Sequence, residues 1–124
     1  MYTDSSNESI GAVICQLDDD NRLRPVEYMS TTLTTSTQSS DNILVKELKA
    51  IIAAVNKFDK YITSRSDTIC LCNCEPLVQA LSGTKESKAS IERMKFRLFR
   101  YNITYKSIGG HYNPIADFLT FSLL

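Results

Sequence analysis

The chain has 124 residues, 43% hydrophobic and 23% charged, with fourteen basic and fourteen acidic side chains and four cysteines. That is room for one domain with one core, so residues 1–124 are read as a single unit. No apolar run approaches the roughly 20 residues of a membrane span, and "MYTDSSNESI" lacks the basic-then-apolar plan of a signal peptide, so an intracellular setting with reduced thiols is expected.

The charge is unevenly spread. Residues 1–44 hold two basic residues, Arg22 and Arg24, against seven acidic ones, and twelve basic residues follow from position 45 onward. The stretch 84–106 alone carries seven basic residues and two acidic. Such a patch suggests a polyanionic partner, and a solvated helix face would account for it equally well.

In chain order, "MYTD" reads as the end of a strand, and "SSNES" as a turn. "IGAVICQL" (10–17) and "RPVEYMS" (24–30) then form a hairpin about the turn "DDDNRL", the second strand half-buried. A Ser/Thr-rich loop leads to a helix over 43–62, with Ser40 or Asp41 as N-cap. Its apolar residues Leu44, Leu48, Ile51, Ile52, Val55, Phe58 and Ile62 recur at helical spacing, and Glu47 falls at the margin of that buried face. "DTICLCNC" (67–74) is a fourth strand, ended by Glu75 and Pro76. "PLVQALSG" is a short helix with proline at its start and glycine at its end. "SIERMKFRLFRY" (90–101) is a basic amphipathic helix with Ile91, Met94, Leu98 and Tyr101 on one stripe. "NITYKSI" is a fifth strand, "GGHYNP" a loop, and "IADFLTFSLL" a terminal helix. The order predicts an α/β fold, a mixed sheet with three antiparallel strands first and βα crossovers after.

Four positions stand out against this plan: Asp4 at a strand end, Glu47 on the long helix, Asn73 in the fourth strand, and Asp117 near the C-terminus. The segments around them, "YTDSSNESIGAVICQ", "VKELKAI", "CNCEPL" and "GGHYNPIADFL", resemble in order four motifs of the ribonuclease H domains of gypsy-type long-terminal-repeat retrotransposons. Those motifs read T-D-A-S with I-G-A-V-L, E-K-E-L-L-A-I, T-D-H-x-P-L, and G-K-x-N-x-x-A-D-A-L. In order, they run along nearly the whole length of the chain.

The resemblance implies a ribonuclease H-like fold whose five-stranded sheet places the first and fourth strands side by side. Asp4, Glu47 and Asp117 match three of the family's four acidic metal ligands, and Asn73 stands where the pattern has its third aspartate. Two divalent ions need several hard anionic oxygens. With Asn73 neutral, one magnesium or manganese ion, weakly held, is the expectation. Glu75 lies too far along the strand to substitute. The implied partner is RNA–DNA hybrid, met by Lys85, Lys88, Arg93, Lys95, Arg97 and Arg100. The implied context is a longer polyprotein with an adjoining reverse transcriptase domain, in a cytoplasmic particle or the nucleus. Two functions remain open: a nuclease that cuts the RNA strand, and a catalytically inactive module acting through nucleic-acid or protein contacts.

Three smaller expectations complete the picture. Cys70, Cys72 and Cys74 alternate, so they share the strand face opposite Leu71 and Asn73 and are read as buried thiols packed under helices. An extended C-x-C-x-C lacks the usual zinc spacing. His111 is read as a loop residue without a special role. Thr31 and Thr32 stand where the family often has basic residues, and Phe121, Leu123 and Leu124 cap the core or form an apolar patch for a partner.

Overall fold

The alternating apolar stretches form a single twisted sheet against which the long helix lays its apolar stripe. The structure, a computed structural model, describes residues 1–6, 9–32, 43–83 and 89–108. Strands β1 (Tyr2–Ser5), β2 (Ser9–Leu17) and β3 (Leu23–Thr32) come first, followed by helices α1 (Ile43–Lys57) and α2 (Asp59–Ile62). Then come β4 (Thr68–Cys72), α3 (Glu75–Leu81), α4 (Ala89–Lys95), a 3₁₀ turn at Phe96–Leu98, and β5 (Ile103–Ser107). The sheet order is β3-β2-β1-β4-β5. The first three strands pair antiparallel, while β4 lies parallel to both β1 and β5. The first and fourth strands are therefore neighbours, as expected.

One face of the sheet packs on α1. Thr3 pairs with Ala12 and Ala12 with Met29, and these side chains join Cys70 and Cys72 beneath Leu48, Ile51, Ile52 and Val55 of the helix. Ala50 and Ala54 are fully buried. Each of the large aliphatic side chains removed from water contributes about 1.5–3 kcal/mol, which makes this stripe the main source of stability. Cys70, Cys72 and Cys74 are all buried, and all four cysteines are unbridged. Met94, at the edge of the α4 stripe, packs against the same core, while Ile91, Leu98 and Tyr101 are buried in it.

Local chemistry sets the joints. In the β2–β3 turn Asn21 takes the left-handed conformation (φ 61°), which asparagine tolerates better than most residues. The Asp18 carboxylate accepts from the backbone N–H of Asp20 and Arg22, both at 2.9 Å, and from Arg24 Nε at 2.7 Å. Gly83, at φ 75°, ends α3 in the left-handed region where glycine costs least.

Several boundaries differ from the sequence expectation. The helix foreseen over 43–62 is interrupted at Phe58, whose φ/ψ of −100°/15° leaves α2 as a single turn. The interruption falls where the neighbouring Asp59 carboxylate is drawn to the hydroxyl of Tyr101 and the guanidinium of Arg100. The fourth strand stops at Cys72, with Asn73 in a bend and Cys74 as the N-cap residue of α3. The basic helix tightens into a 3₁₀ turn after Lys95, a common way for a helix to end. β3 is mostly exposed, with Met29 its one buried residue, because it is an edge strand of the described sheet. Val26 is extra between Pro25 and Glu27, which pair with Cys15 and Ile14, so the edge also carries a bulge. The N-cap at 40–41, the loop 109–114 and the terminal helix lie outside the described residues. No helix among the described residues is long and apolar enough to cross a membrane.

Candidate active site

The parallel pairing of β1 with β4 positions the site. Tyr2 pairs with Leu71, so the same register carried two residues on sets Asp4 opposite Asn73, just past the end of β4. Side chains alternate along a strand, so Asp4 points to the face away from α1 while Thr3 and Ser5 point toward it. Ser5 makes the connection between the two faces. Its backbone N–H donates to Asp4 Oδ1 at 2.9 Å, and its hydroxyl donates to Glu47 Oε1 at 2.7 Å. Two carboxylates thus straddle one strand end with a single serine between them.

Glu47 is only 4% exposed, on the second turn of α1. Its charge reaches across the end of β4. Burial raises the thiol of Cys72 to about 11 and raises that of Cys74, and the negative field of Glu47 pushes both further in the same direction. Those two residues flank Asn73, so Glu47 and Asn73 share one small region. Burial likewise pushes the Cys70 thiol up to about 12, helped by Cys72. The thiols stay protonated at neutral pH and make poor metal ligands or nucleophiles there.

Asn73 Oδ1 is buried and without a hydrogen-bond partner among the described residues. A buried amide oxygen left unpaired costs about 1–3 kcal/mol, so its lone pairs are available to a cation or a cation's water. An amide oxygen of this kind is a hard donor, the type that suits magnesium or manganese. Among the described residues no group of three or more His, Cys, Asp or Glu side chains is placed to hold a metal ion. The charge count of the described part is therefore two. Asp117 and His111 lie outside the described residues. Glu75 is exposed as the first residue of α3, with Gln79 Nε2 donating to its carboxylate at 3.4 Å.

Two of the described basic residues expected at the interface are engaged within the chain. Lys95 has a side chain only 13% exposed, and its ammonium donates to the Ala80 carbonyl at 2.8 Å near the C-terminal end of α3. Arg100 is engaged by Asp59 and Tyr101. Asp59 begins α2, beyond the C-terminal end of α1, whereas Glu47 lies in the second turn of α1. Arg93 and Arg97 are exposed, and Lys85 and Lys88 lie outside the described residues. Sequence reasoning missed Ser5, which it assigned to a turn. Its only signal was a hydroxyl where the resembling motif has alanine.

A five-stranded sheet of this order, three antiparallel strands and then two parallel ones with a carboxylate pair at the β1–β4 end, defines the ribonuclease H fold. The comparisons agree. Ribonuclease H1 from Halobacterium salinarum superposes with a TM-score of 0.71 at 17% identity, over 98% of this chain and 92% of that one. The ribonuclease LC11-RNase H1, solved in complex with RNA/DNA hybrid, gives 0.71 at 20% identity over 98% and 92%. The family model "RNase H-like domain found in reverse transcriptase" matches residues 1–101, and the chain belongs to this family.

Among full-length relatives, the Pol polyproteins of the Drosophila melanogaster transposons opus and 297 are 34% and 33% identical over 120 residues. The Tf2-3 polyprotein of Schizosaccharomyces pombe is 30% identical over 126. Each match covers 97% of this chain but only 12%, 11% and 9% of the relative. The chain is an RNase H-like domain similar to part of these retrotransposon polyproteins and spans about a tenth of their length.

Proposed function

We propose that this domain binds RNA–DNA hybrid and that Asp4, Glu47 and Asp117 form an RNA-cutting site weakened by Asn73. The observation that carries the proposal is the convergence of Asp4 and Glu47 on Ser5, opposite Asn73, in a fold whose relative LC11-RNase H1 was solved with hybrid bound. The three carboxylates would hold magnesium or manganese, which when bound activates a water and stabilises the leaving oxygen. Ser5 holds the Glu47 carboxylate toward the strand end, and the backbone N–H of Ser5 fixes Asp4. Asn73 offers an oxygen without charge. Losing even an outer partner of a metal ligand costs about 10–100-fold, so a missing first-rank charge leaves one ion weakly held and cleavage slow in magnesium. Exposed Arg93 and Arg97 serve the phosphate backbone, a contact without sequence preference.

A second reading has one specific observation in its favour, the neutral amide at position 73: the domain holds hybrid or a protein partner and cuts nothing. A labelled hybrid incubated with the domain in manganese separates the two. RNA-strand cleavage that disappears in Asp4→Asn supports the nuclease. Metal-dependent binding without cleavage favours the hybrid-holding module, and no binding at low salt sinks the nuclease and leaves the protein partner.

A further inference from the structure

The segment that carries α4 and the 3₁₀ turn buries one stripe and leaves another in water. Ile91, Leu98 and Tyr101 are buried, whereas Phe96 and Phe99 are each 66% exposed. Backbone geometry brings these two phenylalanines together. A 3₁₀ turn eclipses residues three apart, and Phe96–Leu98 is such a turn, closed by the Phe99 N–H donating to the Phe96 carbonyl at 3.4 Å. The rings therefore meet edge to face, with centroids 4.9 Å apart and planes at 73°. Neither ring belongs to the core, so the pair is an aromatic platform facing solvent. The charges beside it are mostly of one sign. Arg93 lies one turn before Phe96, Arg97 follows it, Arg100 lies one turn beyond, and all three are exposed. Glu92, the one acidic side chain in 90–101, takes the inward-turned Lys95 ammonium at 3.4 Å. Asp59 offsets Arg100, which leaves Arg93 and Arg97 as the surplus charge of this face.

We infer that this platform binds a single-stranded segment of nucleic acid, with a base stacked on a phenylalanine ring and neighbouring phosphates on Arg93 and Arg97. The inference rests on the reading that the domain binds nucleic acid, and adds to it a second contact that needs no metal and tolerates any sequence. Aromatic rings interleaved with cations suit a single strand, since every base has a face to stack and every nucleotide carries a phosphate. A duplex keeps its bases stacked on one another and offers no such face along its length. Charge also argues against a second copy as the occupant, because a two-fold pairing of these faces would bring the arginines of both copies together. Arg100 reaches Asp59 at the start of α2, so the platform stands toward the C-terminal end of α1, whereas Glu47 lies in its second turn. The platform therefore holds a part of the nucleic acid away from the carboxylates.

The test follows a labelled single strand of about twelve nucleotides by anisotropy, at low salt and without divalent metal. A fluorescent adenine analogue in the strand reports stacking by its quenching. The parent is expected to bind and to quench the analogue. Phe96→Leu with Phe99→Leu keeps an apolar surface without a π face, and should weaken binding by at least about fivefold and abolish the quenching. Phe96→Tyr with Phe99→Tyr should bind as the parent does. Equal binding by the parent and the leucine pair overturns the inference. So does the absence of binding at low salt, which leaves the platform to a protein partner. Self-association of the parent that the leucine pair abolishes would assign the platform to a second copy and also overturn it. A blunt-ended hybrid run in parallel keeps the two readings apart. Hybrid bound with the single strand refused overturns this inference alone. Single strand bound with hybrid refused overturns the hybrid reading and supports this one. Should the leucine pair unfold, Arg93→Gln with Arg97→Gln reads the same surface, and unchanged affinity in that variant overturns the inference.

Discussion

Ser5 is the side chain whose removal should be felt first. It donates to a buried carboxylate, and hydrogen bonds to charged groups are worth about 1.5–3 kcal/mol. Ser5→Ala is therefore expected to lower stability by that order in denaturant titration, with the loss partly recovered when manganese is added. A variant as stable as the parent would mean that the Ser5–Glu47 contact has no weight. The cysteines make a pH prediction with a definite sign. Cys70 and Cys72 are raised from 9.0 to about 12 and 11, so the folded chain keeps protons that the unfolded chain releases. Their contribution to stability is intact below pH 9 and is lost as pH rises toward 11–12. Thermal midpoints between those limits should fall more steeply for the parent than for Cys72→Ala. A thiol reagent at neutral pH should label half-buried Cys15 well before the other three.

Among the helices, the basic segment shows how far charge alone can mislead. Seven cations in 84–106 read as one surface by charge, yet the fold turns Lys95 inward to cap α3 and ties Arg100 to Asp59 at the start of α2. Which of several like residues meets solvent depends on helix phase and on partners distant in sequence, and neither is written in composition. Lys95→Ala should lower the thermal midpoint while leaving the salt dependence of hybrid binding unchanged. Arg93→Ala with Arg97→Ala should do the reverse, weakening binding uniformly across sequences and reducing the salt slope by about one to two. A shallower slope in Lys95→Ala alone would return that lysine to the phosphate contacts. The break at Phe58 has the same origin, since nothing in the periodicity of 43–62 announces the pull of Tyr101 on Asp59.

Taken as a whole, the molecule was legible where its motifs are local and periodic. Strand alternation announced the buried cysteines, the 3.6-residue stripe announced α1, and four ordered motifs announced the sheet in which β1 and β4 meet. The placement of Glu47 at the margin of its helix followed from spacing alone. What could not be read was the bridging by Ser5, because a serine beside a turn looks like turn chemistry. The most direct measurement is the rate at which labelled hybrid is cut in magnesium by the parent and by Asn73→Asp. Restoring the fourth charge should raise cleavage by at least about two orders of magnitude, the scale on which metal-ligand partners act. A parent that already cuts as fast as the variant would contradict the role given to Asn73.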